Sequence, residues 1–448
     1  MKRLGIGLII TSLNLFAANI AIIDSGIDYK HQELKNNMWT NSASKTVDAD
    51  GTTYQDDTHG WNFAESNNQI IDYKYLGTFS SDCTKIFDVQ AKILKGTATE
   101  EDKTWYKAKK NDPEFLKELQ KFGNFVHGTH VSGISANQAV KAELVGIKLI
   151  ATEPPGAAEV TKFLEDNRVE NSDLRVDNPM VTMFLTMMAE RQATMLTTTG
   201  KYVGAVKSEV ANGSFGVSAT AVKPIVKNLV KQITGADPTE EELTSYTNFF
   251  VNEIAKGCLA FVGAAPNTLF VFAAGNDGTN NDMIPASPAN VKTDNTITVA
   301  ASNGVASLAI FSNYGEKMVE VAAPGVAILS TVPGDAHLAM SGTSMAAPFV
   351  TNVAGLIKDG NRSLTPTSIK KVLMETVDVK DFLKGKVTTS GIVNKDRAVK
   401  AAELSNTMSL EAAITIAKRS VADESANVWN TRTVSEKDLL VLPLPSLF

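Results

Sequence analysis

The octapeptide Ser341-Gly342-Thr343-Ser344-Met345-Ala346-Ala347-Pro348 runs straight into an almost wholly apolar segment, Met345 to Ile357. That segment carries Met345, Phe349, Val350, Val353, Leu356 and Ile357, with Ala346, Ala347, Ala354 and Gly355 between them. A helix apolar on most faces is a buried helix. Ser344 then lies at its N-terminus, where unpaired N–H groups and the positive dipole end favour negative charge. An alkoxide or a tetrahedral oxyanion needs such surroundings. The plainer alternative is a serine that caps a core helix.

Working upstream, Asn19-Ile20-Ala21-Ile22-Ile23 is a short continuous apolar run closed by Asp24-Ser25-Gly26. This pattern predicts a strand buried on both faces of a parallel sheet. Asp24 falls at its carboxyl end, the edge where open α/β sheets bind ligands. Asp28 lies past the turn and is expected to be solvated. Phe125-Val126-His127-Gly128-Thr129-His130-Val131-Ser132-Gly133 predicts a helix starting near His127, with His130 on the same face. Zinc helices space their histidines by four and carry a glutamate between them, and this segment has neither. Thr268 to Ala274 is a further buried strand ending in Gly275-Asn276-Asp277-Gly278.

Together these segments resemble the subtilisin family of serine proteases. G-T-S-M-A-A-P matches the nucleophile segment, D-S-G-I-D the aspartate motif, H-G-T-H-V-x-G the histidine motif and A-A-G-N-D-G the oxyanion motif. The resemblance implies an Asp24, His127, Ser344 triad in the family's chain order. It makes His130 structural and gives Asn276 the oxyanion-hole amide. It also implies that substrate pairs along Ser214-Phe215-Gly216, and that Ala273-Ala274-Gly275 line the pocket for the residue before the cut. The implied fold is α/β: a subtilisin-like, doubly wound, mostly parallel sheet flanked by helices on both faces, with helical insertions. The implied function is a secreted or periplasmic serine endopeptidase acting on protein or peptide substrates through an acyl-enzyme. Its rival is a catalytically silent binding or scaffold protein of the same fold. An α/β-hydrolase esterase is disfavoured, because that family orders its triad Ser, Asp, His and uses G-x-S-x-G.

The remaining sequence sets bounds. The chain has 448 residues, 43% hydrophobic and 21% charged, with net charge −6. That acidic balance argues against a nucleic-acid partner, which needs a basic face. Oligomeric state is not indicated. Residues 1–18 read as a signal peptide: Lys2 and Arg3, the apolar run Leu4 to Phe16, then Ala17-Ala18. A membrane anchor is the alternative there, and no stable anchor is expected. The peptidase domain is expected over 19–404, with insertions at about 73–122, 152–208 and 221–248. The charge-rich stretch Asp72 to Phe122 is expected at the surface, outside the core. Met180, Met183, Met187, Met188 and Met195, with Phe184 and Leu185, recur at spacings of three and four and predict an amphipathic core helix. Asp48, Asp50 and Asp57 loosely mimic a calcium loop, so a structural calcium is an open expectation, although the chemistry requires no cofactor. Cys83 and Cys258 are either one disulfide or two buried thiols. Residues 405–448 form a tail beyond the domain with no readable function. Typical members of the resembled family use an N-terminal pro-segment to fold and stay silent; here either the chain folds without one, or another chain or the C-terminal tail does that work.

Overall fold

The computed structural model describes residues 17–137, 142–153, 178–424 and 439–447. The expected signal segment, up to residue 16, lies outside them, and so does much of the expected insertion at 152–208. Ala18 is buried, and its carbonyl accepts the Glu143 N–H at 2.9 Å.

Among the described residues the main sheet has ten strands. From one edge the order is Asp378–Val379, Gly391–Ile392, Val321–Pro324, Thr296–Asn303, Leu269–Ala273, Val210–Gly213, Asn19–Asp24, Glu143–Lys148 and Gly60–Asn62. Asp378–Val379 runs antiparallel to its neighbour, as does the short strand Ser307–Leu308 against Thr296–Asn303; the other pairs are parallel. The fold is thus the expected α/β sheet with helices on both faces. Alternation along each central strand feeds two cores. Ile20 and Ile22 enter one, with Leu269, Val271 and Ala273. Ala21 and Ile23 enter the other, with Phe270 and Phe272. The register places Asp24 opposite Lys148, and the carboxyl ends of the parallel strands share one rim.

The helix Thr343–Gly360 lies on the first core. Three contacts pin it lengthwise. Thr351 Oγ1 donates to Asn212 Oδ1 on the central sheet at 2.9 Å. Asn352 Nδ2 donates to the carbonyls of Ser135 and Asn137 at 2.9 and 2.7 Å. Gly355 leaves room for Ile20, whose Cδ1 would sit 2.9 Å from an added Cβ.

Several expectations need correction. The helix carrying His127 begins at Pro113, capped by Asp112, and runs unbroken to Ala136. The stretch from Asp72 to Phe122 is not confined to the surface. Its helices Asp82–Lys95 and Glu100–Lys110, with the start of Pro113–Ala136, bury Ile86, Phe87, Val89, Tyr106, Phe115, Leu119 and Phe122 in the first core. Apolar residues three and four apart form one face there, and the lysines occupy the other. The helix Pro179–Ala205 buries Val181, Phe184, Leu185, Ala189 and Leu196. This is the expected core helix: Phe184 and Leu185 are buried and Met180, Met188 and Met195 pack partly buried on the second core, although Met183 is exposed.

Cys83 and Cys258 are separate free thiols, one in each core. Burial pushes them up to about 11 and about 12. Two contacts tie residues just past 405 to the helix before them. The helix Leu410–Ser420 packs on Lys395–Leu404, and Asp423 pairs with Arg397 at 2.7 Å. No helix of the described residues is long and apolar enough to cross a membrane.

Candidate active site

The aspartate and histidine motifs interlock through their side chains. His127 Nδ1 donates to Asp24 Oδ1 at 2.7 Å, with both side chains buried. Asp24 Oδ1 also accepts the Ser25 N–H at 2.7 Å, while Oδ2 is buried without a hydrogen-bond partner. Gly128 N donates to Ser25 Oγ at 3.2 Å, and Asp28 N donates to Thr129 Oγ1 at 2.9 Å. Gly26 has φ of +122°, and a Cβ there would lie 2.4 Å from the Ile70 carbonyl oxygen. Only glycine suits that position.

Asp28 is not solvated. It is buried and accepts Tyr73 Oη at 2.7 Å and Gly334 N at 2.9 Å. It thereby ties the turn after Asp24 to two remote loops.

His130 is structural. Its Nε2 donates to the carbonyls of Ile328 and Leu338 at 3.1 and 2.9 Å, clamping the hairpin Ile328–Val332 and Ala336–Met340. Ser330 and Thr331 donate back to the His130 and Thr129 carbonyls. Full burial holds the ring neutral and lowers it to about 3.

Ser344 is the second residue of its helix, not its cap. Gly342 is the cap and offers no side chain, which removes the plainer capping alternative. The Ser344 hydroxyl donates to the Ser214 carbonyl at a long 3.5 Å, and Ser214 Oγ donates to the Ser344 carbonyl at 3.1 Å. Among the described residues no hydrogen bond joins Ser344 to His127. The structure therefore brings Asp24 and His127 together and leaves the serine turned towards Ser214. Resting enzymes often hold such bonds loose and tighten them on substrate.

Asn276 is oriented by the residue next to Ser344. Its Oδ1 accepts Thr343 N at 2.9 Å and Thr343 Oγ1 at 2.8 Å. An amide whose oxygen takes two donors must turn its NH₂ the other way, and that NH₂ faces the cleft. Gly275, at φ +116°, sits against Asn313, whose Oδ1 accepts Asp277 N and Thr279 N. Sequence reasoning gave no role to Asn313, Thr343 or Asn212.

A cavity of about 380 Å³ is lined by His127, Gly216, Ala273, Ala274, Gly275 and Asn276, among others. Phe215 is different. Its ring is buried against Phe261 in the second core, and Gly216 alone of Ser214, Phe215 and Gly216 lines the cavity.

The calcium candidates do not gather. Asp48 accepts from Asp50 N, Thr52 N and Tyr54 Oη. Asp57 accepts from Asn41, Thr46 and Tyr202. Asp50 pairs with Lys201. These oxygens face proton donors and an ammonium, where a hard cation needs six to eight bare oxygens. No group of three possible ligands stands together among the described residues. The three side chains do not form a calcium cage in this arrangement.

With this geometry in view, the similarities to known proteins are decisive for family. A model of the subtilase family of peptidases matches residues 17–408. The chain belongs to the subtilase family. It is 37% identical over 138 residues to alkaline elastase YaB of Bacillus sp. (strain YaB), covering 30% of this chain and 34% of that one. It is 39% identical over 144 residues to an extracellular protease of Xanthomonas campestris pv. campestris, covering 30% and 24%. It is 25% identical over 410 residues to subtilisin-like protease 1 of Plasmodium falciparum, covering 88% of this subtilase and 45% of that protein. The chain thus spans less than half the length of each of these three relatives. Among solved structures, a cold adapted subtilisin-like serine proteinase aligns over 86% of this chain and 89% of its own, with 18% identity and a TM-score of 0.44.

Proposed function

We propose that this subtilase is an exported serine endopeptidase. The reading rests on the short buried bond from His127 to Asp24 at the rim where Asn276 and the Ser344 helix meet. Serine hydroxyls are weak nucleophiles and need a base that is itself oriented. His127 Nε2 takes the Ser344 proton as Oγ attacks the peptide carbonyl. Asp24 holds the ring's tautomer and stabilises the imidazolium. Asn276 Nδ2 and the Ser344 N–H donate to the oxyanion, with the helix N-terminus behind them. The tetrahedral intermediate collapses, the C–N bond breaks and His127 returns the proton to the leaving amine. Water then hydrolyses the acyl-enzyme by the same steps.

The residue before the cut sits between Gly216 and the small wall Ala273-Ala274-Gly275. The acyl half of the substrate therefore lies along Ser214–Gly216, and its leaving half passes His127. Main-chain bonds give register and the pocket gives preference. Export is supported by the basic and apolar N-terminal sequence and by the extracellular relative.

The test is labelling with a serine-reactive phosphonate together with casein cleavage. Modification at Ser344 and loss of both activities in Ser344→Ala are expected. Folded protein that neither labels nor cleaves, with its cleft open, ends the proposal.

A further inference from the structure

The cleft just described already contains peptide. Residues Leu439 to Leu447 cross it, and Val441 to Ser446 form part of its lining with His127 and Asn276. Three main-chain groups anchor the segment through four hydrogen bonds. Leu440 N donates to Gln90 Oε1 at 2.6 Å and to Tyr106 Oη at 2.8 Å. Asn276 Nδ2 donates to the Leu442 carbonyl at 3.1 Å. Gly216 N donates to the Pro445 carbonyl at 3.0 Å. Side chains add a fit. A Cβ on Gly123 would lie 2.7 Å from Leu442 Cδ1, and one on Gly216 would lie 3.3 Å from Leu444 Cδ1. Leu440, Val441, Leu442 and Leu444 pack on the first core and Leu447 on the second, and Pro445 is buried.

Two of these anchors are groups that the proposed chemistry requires: the oxyanion amide and the strand that pairs with substrate. The third is the buried Gln90 and Tyr106 pair, on the helices that the charged insertion contributes. We infer that Leu439–Leu447 is a built-in ligand of the active-site cleft, and that it silences the enzyme by occupying the substrate's place. This rests on the proteolytic reading above.

The order of contacts explains how such a ligand escapes cutting. A substrate runs from Gly216 to Asn276 and then past His127. The tail meets Asn276 at Leu442 first and Gly216 at Pro445 afterwards, so its polarity is reversed. The nitrogen that would leave on attack at Leu442 belongs to Pro443 and points to the acyl side, away from the proton donor. Pro443 and Pro445 also lack the N–H groups that a paired strand would give. Attachment to the same chain raises the local concentration of the segment to the order of millimolar, so even weak intrinsic binding fills the cleft.

The test compares the full chain with a full-length Leu442→Asp, Leu444→Asp variant, both confirmed as folded by circular dichroism. Neither leucine belongs to the proposed machinery. A fluorescein-labelled peptide of residues 439–448 is titrated into each, and phosphonate labelling of Ser344 is timed. The variant is expected to bind the peptide and the parent to refuse it. Labelling is expected to be about tenfold faster or more in the variant, equivalent to about 1.4 kcal/mol, and the added peptide should reverse that gain. Equal labelling rates with no peptide binding overturn the inference. So does mass spectrometry showing the parent cut within 439–447, because the segment is then substrate. If neither protein labels but the peptide still distinguishes them, the cleft occupancy stands and the proteolytic reading falls.

Discussion

The floor of the cleft and its rim at Gln90 and Tyr106 hold their residues by different means. On the floor, partners far apart in sequence are joined by short, buried, side-chain-specific bonds: His127 to Asp24, Thr343 to Asn276, Thr351 to Asn212. Each group is fixed by another whose chemistry fits it alone. At the rim, the insertion helices give an apolar surface and two acceptors for a single N–H. Such a surface accepts any extended apolar peptide of the right width. The floor is built for a reaction and the rim for occupancy, so substitutions in the two places should separate rate from access.

The sharpest break comes from Ser344→Ala, which should lower turnover by about 10⁴-fold or more. Stability should hardly change, since the hydroxyl makes only its 3.5 Å bond to Ser214. Kinetics on a peptide substrate beside a urea melt check both halves, and an unfolded variant would mean that the serine is mainly architectural. Asn276→Ala should slow acylation by about 10²- to 10³-fold with little change in KM. Because this change also frees Leu442, a net gain in rate would place Asn276 with the rim instead of the floor.

His130 sharpens the comparison through pH. Burial lowers its pKa to about 3 in the fold, whereas an unfolded imidazole titrates near about 6.5. Between those values the unfolded chain binds the extra proton. The stabilisation is therefore complete above about 6.5 and is lost as pH falls towards about 3, with a slope of up to about 1.4 kcal/mol per pH unit. His130→Asn should cost about 1–3 kcal/mol at neutral pH by stripping a donor from two buried carbonyls, and should flatten that acid slope in denaturant titrations. The smallest effect belongs to the rim. Gln90→Ala removes one acceptor from Leu440 and should speed phosphonate labelling about fivefold, the worth of about 1 kcal/mol. An unchanged rate would show that Tyr106 suffices.

The floor was readable from the sequence because each motif there is a local chemical unit. Asp24 ends an apolar strand, Asn276 follows a strand and a glycine, and Ser344 opens a buried helix. Their mates were not readable. Asp28 looked solvated because Tyr73 and Gly334, which cover it, arrive from distant segments. The His127 helix starts at the strong N-terminal signal Asp112-Pro113, well before its motif, because a charged and apolar first half precedes the small residues around His127. The insertion's lysines masked an apolar face at three- and four-residue spacing, whereas Phe184, Leu185 and the methionine spacing made the Pro179–Ala205 helix legible. Val441-Leu442-Pro443-Leu444-Pro445 has no periodicity of its own, and its contacts exist only because the cleft does.

The helix behind Ser344 is keyed to its neighbours at three separate heights, by Thr351, Asn352 and Gly355. A slide of one turn would strand buried amide groups and drive Ile20 into a methyl group. Descendants of this chain therefore have little freedom to retune the nucleophile by shifting its support. Diversification is confined to the loops and terminal segments around the mouth, where a change of diet or of restraint leaves the engine untouched.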